Sequence, residues 1–164
     1  MSDERKPEPP ILTEFHEKAK QHVVPDWIVQ HLEEYDRDPE AAHYWDGSAF
    51  GGHQKTPTLL LTTRGRKTGR LITMPLIYGE DGANYVIVGS KGGAPQNPAW
   101  VFNLEADPKV QVQVVRDRFD AVARIAGGEE RKRLWEMMVG VYPPYRDYQK
   151  RTEREIPVVV LTRA

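Results

Sequence analysis

The apolar residues in the first third of the chain recur every three or four positions, which is the spacing of an amphipathic helix. This pattern predicts one helix over residues 11–22 and another over residues 26–35. In the second helix we expect Trp27, Ile28 and Leu32 to face inward. A helical region therefore precedes the first strand.

Two positions have the residue types that begin a helix. Asp38 is followed by proline, and an aspartate side chain caps free backbone N–H groups while proline suits the first helical position. We expect a short helix from there through Trp45. Asn97 is also followed by proline, which predicts a helix from there to about Ala106.

After the first helices the pattern changes to that of strands. Three segments rich in Leu, Ile, Val, Thr and Tyr predict strands over residues 58–63, 71–78 and 84–89. Glycines and charged residues predict short connections over 64–69 and 80–83. These three strands follow one another closely, so they favour antiparallel pairing.

The second half of the chain alternates between strands and helices. An alternating run over residues 110–126, interrupted by a charged turn, predicts a hairpin. Helical spacing predicts helices over 128–140 and 144–151. Residues 157–162 are almost entirely apolar, so we expect a final strand that is central and buried on both faces.

The order of these elements predicts the fold class. Strands that follow one another, with helices in the connections, favour an antiparallel barrel or a strongly curved sheet of α+β type. We expect six to seven mostly antiparallel strands in one domain over residues 11–164, with residues 11–46 as a helical extension. The charged, proline-rich residues 1–10 are expected to be disordered.

Composition indicates the cellular compartment of the protein. A chain of 164 residues can bury enough surface to fold without disulfides, and it contains no cysteine. No apolar run approaches the roughly 20 residues of a membrane-spanning helix. We expect a cytoplasmic protein.

Charge is distributed unevenly along the chain. Residues 1–46 carry twelve acidic and five basic side chains, whereas residues 47–79 carry five basic side chains and no acidic one. Four of these five lie between Arg64 and Arg70, together with two glycines. Such a segment can bind phosphate or carboxylate oxygens, although a solvated hairpin loop would look the same. It lacks the spacing of a P-loop.

Two other segments could carry chemistry. Residues 89–98 combine glycines, Ser90 and Lys91 just before a helix, where free N–H groups favour anions and carbonyl oxygens, and Trp100 could wall a flat ring or belong to the core. Tyr142, Tyr145 and Tyr148 share a helical face and could serve either packing or function. The histidines and carboxylates show no metal-ligand spacing, and no Ser-His-Asp arrangement suggests itself.

Four motifs in order, TTRGRKTGR, MPLIY, GSKGGAPQNPAW and YPPYRDYQKRTEREIPVVV, resemble the deazaflavin-dependent nitroreductase and quinone reductase family of actinobacteria. The resemblance covers residues 56–162. It implies a split β-barrel of the flavin-reductase type and reduced coenzyme F420 as hydride donor. It also implies quinones, nitroaromatics or activated enones as acceptors.

The resemblance further implies a set of site residues. The cofactor tail would lie on one loop: Arg66, Lys67, Thr68, Gly69, Arg70 and Leu71. The ring would contact three further segments: Leu76, Ile77 and Tyr78; Val88, Gly89, Ser90 and Lys91; and Ala99, Trp100, Val101, Phe102 and Asn103. The residues expected to touch acceptor or cofactor are Tyr145 and Ser90, with Tyr142 and Tyr148 beside them. Two positions depart from the family pattern, which can carry a basic residue at Ile72 and tyrosine at Ile77.

Other functions remain open at the level of sequence. A barrel of this kind could bind flavin mononucleotide (FMN) in place of F420, and a basic loop with aromatic residues also occurs in non-enzymatic nucleic-acid-binding barrels. The net charge of −1 weighs against nucleic acid. We expect a monomer or dimer without a metal ion, and weak association with the inner membrane face would suit a quinone acceptor.

Overall fold

The computed structural model describes residues 26–164. The helices are α1 (Asp26–Arg37), α2 (Pro39–Ala42), α3 (Ala99–Ala106), α4 (Gly128–Val141) and α5 (Tyr145–Lys150). The strands are β1 (Tyr44–Trp45), β2 (Thr56–Arg64), β3 (Leu71–Ile77), β4 (Gly79–Asp81), β5 (Asn84–Val88), β6 (Lys109–Val114), β7 (Asp117–Ile125) and β8 (Val158–Arg163). Short 3-10 helices span Ser48–Phe50 and Lys91–Gly93.

The strands form one curled antiparallel sheet. Its order is β1-β2-β6-β7-β8-β5-β4, and β3 pairs with β2 along the other edge of that strand. Leu61 of β2 and Ile87 of β5 belong to the same core cluster, although the two strands are far apart in this order. The sheet therefore curls around a shared interior, as expected for a barrel.

Two hydrophobic clusters lie on the two faces of the sheet. The first fills the interior of the curl, where Trp100 and Val101 of α3 close it. The second lies between the sheet and the helices α4 and α5. Along β8, Val159 and Leu161 belong to the first cluster, and Val158 belongs to the second. The prediction that the last strand is central and buried on both faces is confirmed.

The edge strand β3 carries a proline in its interior. Pro75 pairs with Leu60 of β2, and β3 has no other strand partner among residues 26–164. Proline lacks a backbone N–H and is tolerated at a sheet edge. This explains how the MPLIY motif remains a strand.

Helix α1 packs across the strands β2 and β3. Ile28 and Leu32 are buried against Leu60, Ile72 and Met74. The helix runs close to its predicted span. The prediction that Trp27 faces inward is wrong: its side chain is 57% exposed, because the buried face follows Ile28, Val29, Leu32 and Tyr35.

Three further predictions of secondary structure need correction. The Asp38 cap is confirmed, since Asp38 Oδ1 accepts from the Ala41 N–H at 3.3 Å, but the helix ends at Ala42. The next residues instead form β1 on β2, so pairing with a remote strand overrides the local helical signal. Residues 79–81, predicted as part of a connection, form β4. Asn97 does not cap α3 but bonds to Arg154.

The sheet has eight strands where six to seven were predicted, and the two short strands β1 and β4 are the ones that the sequence did not indicate. The predicted helix over residues 11–22 and the predicted disorder of residues 1–10 lie outside the described residues. Among the helices of residues 26–164, none is long and apolar enough to cross a membrane.

Candidate functional site

The basic loop, residues 64–70, joins β2 to the edge strand β3. Its backbone closes through two hydrogen bonds, from Gly65 N to Arg70 O at 2.7 Å and from Gly69 N to Gly65 O at 2.8 Å. Gly69 has φ +75°, a conformation that favours glycine. Arg64 donates to the Gly69 carbonyl at 2.9 Å. The loop is thus a defined turn that presents its cationic side chains to solvent.

Asn103 of α3 ties this loop to the barrel. The Asn103 side chain is 5% exposed, and its Oδ1 accepts from the Arg66 N–H at 3.1 Å. Its Nδ2 donates to Thr63 Oγ1 at 3.1 Å. The Arg66 guanidinium lies 4.9 Å from the centre of the Phe102 ring. The structure therefore brings together two segments that the sequence predicted for the site separately.

The positive charge of the loop is only partly neutralised. Arg64 lies 3.9 Å from Asp107, a carboxylate that follows α3. No acidic residue in the described part of the chain forms an ion pair with Arg66 or Lys67, and both are exposed. These two side chains are therefore available to an anionic ligand.

The second segment, residues 89–98, leaves β5 and enters α3. Lys91, Gly92 and Gly93 have φ of +46°, +63° and +82°. The backbone N–H groups of Ser90, Lys91 and Gly92 donate to no acceptor within residues 26–164. Three successive free donors make a cradle for an anion or a carbonyl oxygen.

The tyrosines lie beside this second segment. The Tyr142 and Tyr148 hydroxyls are 3.0 Å apart, and the Tyr142 and Tyr145 rings meet edge to face with centroids 4.9 Å apart. A Cβ at Gly93 would lie 2.6 Å from the Tyr148 carbonyl oxygen, so α5 sits directly on the glycines. Tyr145 is 4% exposed and packs in the second core cluster.

Burial keeps these phenols neutral. It is the main cause that raises the pKa of Tyr142 and of Tyr145 above the usual value, and the hydrogen bond to Tyr148 adds to the effect at Tyr142. A neutral phenol keeps its O–H and can donate a hydrogen bond, which a phenolate cannot. The cluster therefore presents donors at neutral pH.

The end of β3 leads to a polar pair that the sequence did not indicate. Tyr78 is buried, and its hydroxyl is 2.6 Å from Nε2 of His43, the residue after α2. Burial and Glu80 raise the pKa of Tyr78. His43 and Tyr78 are separated by more than thirty residues, so no local pattern connects them.

The predicted site residues differ in how deeply they are buried. Thr68, Gly69, Arg70, Leu71, Lys91 and Ala99 are exposed, whereas Leu76, Ile77, Ser90, Phe102 and Tyr148 are half-buried. Val88, Gly89, Trp100, Val101 and Asn103 are buried, so they support the site from the core side. Trp100 in particular packs in the first core cluster, which is the alternative to a ring wall that its position left open.

Arg154 is a site-proximal residue that sequence reasoning missed. Its guanidinium donates to the segment 89–97 through four hydrogen bonds of 2.7 to 3.2 Å. It lies in a charged run before the last strand, where no spacing distinguishes it from its neighbours. Among residues 26–164, no group of three His, Asp or Glu side chains could hold a metal ion.

Helix α3 connects the two segments, since Ala99 follows the glycines and Asn103 holds the basic loop. A small curled barrel with a cationic loop at one end of a short helix and free N–H donors at the other defines a class. It is the class of small barrels whose sites can bind anionic or carbonyl groups of a ligand.

Comparison with known proteins agrees with this class. The family model for the F420H(2)-dependent quinone reductase matches residues 38–163. The F420H(2)-dependent quinone reductase Rv1261c of Mycobacterium tuberculosis (strain H37Rv) is 44% identical over 110 residues, which are 65% of this chain and 74% of the relative. Rv3178 of the same strain is 40% identical over 111 residues, 68% of this chain and 93% of the relative.

Two solved structures are also similar. The F420-H2 dependent reductase FDR-A has a TM-score of 0.60 at 43% identity, over 64% of this chain and 93% of that chain. A structure described as a domain-swapped dimer has a TM-score of 0.62 at 38% identity, over 83% and 97%. The chain belongs to the F420H2-dependent quinone reductase family, has a split-barrel fold, and is an oxidoreductase that uses reduced coenzyme F420. This confirms the family, fold, enzyme class and cofactor that the sequence motifs implied.

Proposed function

We propose that this chain transfers a hydride from reduced F420 to a quinone, and adventitiously to nitroaromatics or activated enones. One observation carries the proposal: helix α3 connects two sets of hydrogen-bond donors. These are the basic loop, which Asn103 fixes, and the free N–H groups of residues 90–92. The matching family model and the relative Rv1261c are described as F420H(2)-dependent quinone reductases, which supports a quinone as acceptor. The cytoplasmic location, weak association with the inner membrane face and a monomeric or dimeric state stay predictions.

The basic loop fits the anionic tail of the cofactor. Arg66 is held through its backbone, so its guanidinium remains free to stack on Phe102 and to pair with phosphate or carboxylate oxygens. Lys67 and Arg70 add exposed cations to the same turn. Thr68 and Gly69 shape the turn, and Leu71 begins the edge strand beside it.

The second segment fits the ring. Backbone N–H groups can donate to ring carbonyl oxygens, and Ser90 offers a hydroxyl at the same point. Bound F420 supplies the hydride, so the chain's task is to orient the ring and acceptor and to exclude water. At the end of β3, Leu76 and Tyr78 face the first core cluster and Ile77 faces the second, so only Leu76 and Tyr78 lie on the same face and can offer an apolar surface to the ring together. Trp100 and Val101 are buried in the first cluster behind that surface, and Val88 is buried in the second cluster.

The hydroxyls near α5 fit the acceptor. Reduction of a quinone consumes one hydride and one proton, so a donor must face the developing negative oxygen. Tyr145 and Ser90 are the proposed donors, and Tyr142 and Tyr148 hold each other through their hydroxyls beside them. The raised pKa of Tyr145 keeps its hydroxyl protonated at neutral pH, so it can donate a hydrogen bond to the developing oxygen anion while solvent supplies the proton.

Titration of the purified protein with three ligands tests the cofactor and the competing functions together. We expect F420 to quench tryptophan fluorescence with saturable binding, and FMN and a single-stranded oligonucleotide to bind more weakly. Oxidation of F420H2 by a menaquinone analogue then tests the acceptor. Tight yellow flavin after purification, or no turnover with any quinone, would contradict the proposal.

The double variant Arg66→Ala, Lys67→Ala tests the loop. Each change removes a charge-assisted contact worth about 1.5 to 3 kcal/mol, so the Kd for F420 should rise at least about tenfold. The salt dependence of binding should become shallower, and the melting temperature should hardly change because both side chains are exposed. The matched control is Lys109→Ala, Arg118→Ala, which removes two exposed cations from the hairpin β6-β7. Equal Kd values in both variants would show that the loop does not bind the tail.

A further inference from the structure

Arg154 gathers one segment of the chain around its guanidinium. Its Nε donates to the Ala94 carbonyl at 2.8 Å, and its Nη2 donates to the Ser90 carbonyl at 2.8 Å. Its Nη1 donates to the Gly89 carbonyl at 3.2 Å and to Asn97 Oδ1 at 2.7 Å. Every one of these acceptors lies within residues 89–97, the second segment of the candidate site.

The partners of this arginine are unusual for a half-buried cation. Each of the four is a neutral oxygen, and no carboxylate in the described part of the chain forms an ion pair with Arg154. Buried charges are usually paired with an opposite charge, because desolvation is costly. The Arg154 guanidinium therefore holds residues 89–97 in place. No carboxylate among the described residues neutralises its positive charge.

The segment needs such a support. It contains three successive residues with left-handed backbone, and the first of them, Lys91, has a side chain that disfavours this conformation. Its own hydrogen bonds are few, from Gly93 N to Ser90 O and from Ala94 N to Lys91 O. Strained backbone persists only where its surroundings hold it.

The direction of the carbonyls fixes the direction of the free N–H groups. In a trans peptide the C=O and the following N–H point to opposite sides. The Gly89 and Ser90 carbonyls point to Arg154, so the N–H groups of Ser90 and Lys91 point away from it. These are two of the three N–H groups that find no acceptor among residues 26–164.

We propose that Arg154 is a positioning residue of the F420 site, which holds the carbonyls of Gly89, Ser90 and Ala94 so that the N–H groups of Ser90 and Lys91 face the bound cofactor. The proposal rests on the proposed function, because it assigns these N–H groups to the cofactor. Arg154 itself acts from behind the segment and touches no reacting atom. Lysine could not replace it, because an ammonium lacks the planar fork that reaches four acceptors.

The variants Arg154→Met and Arg154→Lys test this role, with Arg131→Met as the matched control. Arg131 donates to the Ile156 carbonyl at 2.6 Å and pairs with Glu155, so it anchors the same C-terminal stretch without contacting residues 89–97. Asn97→Ala is a milder variant that removes one of the four acceptors and keeps the arginine. If the Arg154 variants do not fold, Asn97→Ala takes their place in the test.

Three quantities are measured on each protein: the Kd for F420, the melting temperature, and hydrogen exchange of the Ser90 and Lys91 amides with and without F420. We expect both Arg154 variants to bind F420 at least about tenfold more weakly and Asn97→Ala several-fold more weakly, with faster exchange of these amides in the presence of F420. Arg131→Met should lose a similar amount of melting temperature and keep the wild-type Kd, because Arg131 contacts the C-terminal stretch and not residues 89–97.

Two results would overturn the inference. One is an Arg154 variant, or Asn97→Ala, that binds F420 with the wild-type Kd. The other is an Arg131 variant that loses affinity as much as the Arg154 variants, since a general loss of stability would then explain both. The proposed function fails in a different way, through a wild-type protein that does not bind F420.

Discussion

Tyr145 carries a hydroxyl whose role can be separated from the packing of its ring. The ring packs in the second core cluster, and the hydroxyl has no hydrogen-bond partner among the described residues. Among the described residues, the Tyr145 hydroxyl is not one of the fully buried polar atoms that lack a partner, so it stays in contact with solvent and Tyr145→Phe should be about as stable as the wild type. If the hydroxyl donates to the acceptor, turnover should fall about tenfold or more, at about 1.4 kcal/mol per decade.

Turnover with a menaquinone analogue and the melting temperature are measured on the same Tyr145→Phe sample. Tyr148→Phe is the matched control, and a smaller loss is expected because its ring lies one turn further along α5. Full turnover in a destabilised Tyr145→Phe protein would show that the residue serves packing alone.

His43 should make stability depend on pH. Burial lowers the pKa of His43 below its ordinary value of 6.5, and Glu80 opposes the shift only partly. Protonation therefore favours the unfolded state, and this contribution to stability is complete above about pH 6.5 and is lost as the pH falls towards the folded pKa. Urea unfolding between about pH 5 and pH 7.5 measures it.

The variant His43→Gln should flatten that dependence, because it keeps a polar partner for Tyr78 and does not titrate. His53→Gln is the control, since His53 is exposed and its side chain bonds only the Gly140 carbonyl among the described residues. Identical slopes in the wild type and His43→Gln would contradict the assignment.

At the scale of elements, the second segment, residues 89–98, lies directly against helix α5. Gly93 and Gly69 have similar φ of +82° and +75°, but a Cβ at Gly93 would lie 2.6 Å from the Tyr148 carbonyl, and a Cβ at Gly69 would meet nothing within 4 Å. Alanine at Gly69 should cost about 1 to 2 kcal/mol of stability, from the left-handed conformation alone. Alanine at Gly93 should cost about 1 to 3 kcal/mol more, from the clash.

Denaturant unfolding of the two variants gives the difference directly. Equal losses would show that α5 moves aside freely and does not hold the segment. A larger loss in Gly93→Ala should be accompanied by weaker F420 binding, because the same contact positions Ser90 and Lys91.

The elements themselves could largely be predicted from the sequence. Alternation over residues 110–126 and the apolar run over 157–162 gave the hairpin and the central strand, because side-chain period follows backbone geometry. The failures are at β1 and β4, which are two and three residues long. Strands this short exist through their partners, and the partner of β1 comes more than ten residues later in the chain.

At the scale of the whole molecule, one side chain fastens α1 to the barrel. Tyr35 is fully buried, and its hydroxyl donates to the Thr58 carbonyl and accepts from the Val115 N–H, each at 2.9 Å. Tyr35→Phe leaves both backbone groups without this partner, so it should cost about 2 to 4 kcal/mol of unfolding free energy. Unfolding should remain one cooperative transition if helix and barrel form one unit.

Tyr44→Phe is the control, because Tyr44 is 50% exposed and its loss of a hydroxyl should stay within about 0.5 kcal/mol. Urea unfolding followed by fluorescence and by far-ultraviolet circular dichroism measures both variants. Two separate transitions in the wild type would contradict the single unit.

The sequence by itself determined the order of elements, the curled α+β class, the basic loop and, through its motifs, the family and cofactor. The order of elements, the fold class and the basic loop are properties of period, composition and local turn chemistry, which neighbouring residues decide, whereas the family and cofactor follow from the resemblance of the motifs. Tertiary structure decided which distant groups meet: Asn103 with Arg66, His43 with Tyr78, and Arg154 with the segment 89–97. The physical reason is that the sequence shows which side chains can form hydrogen bonds, whereas the curl of the sheet decides which groups they meet.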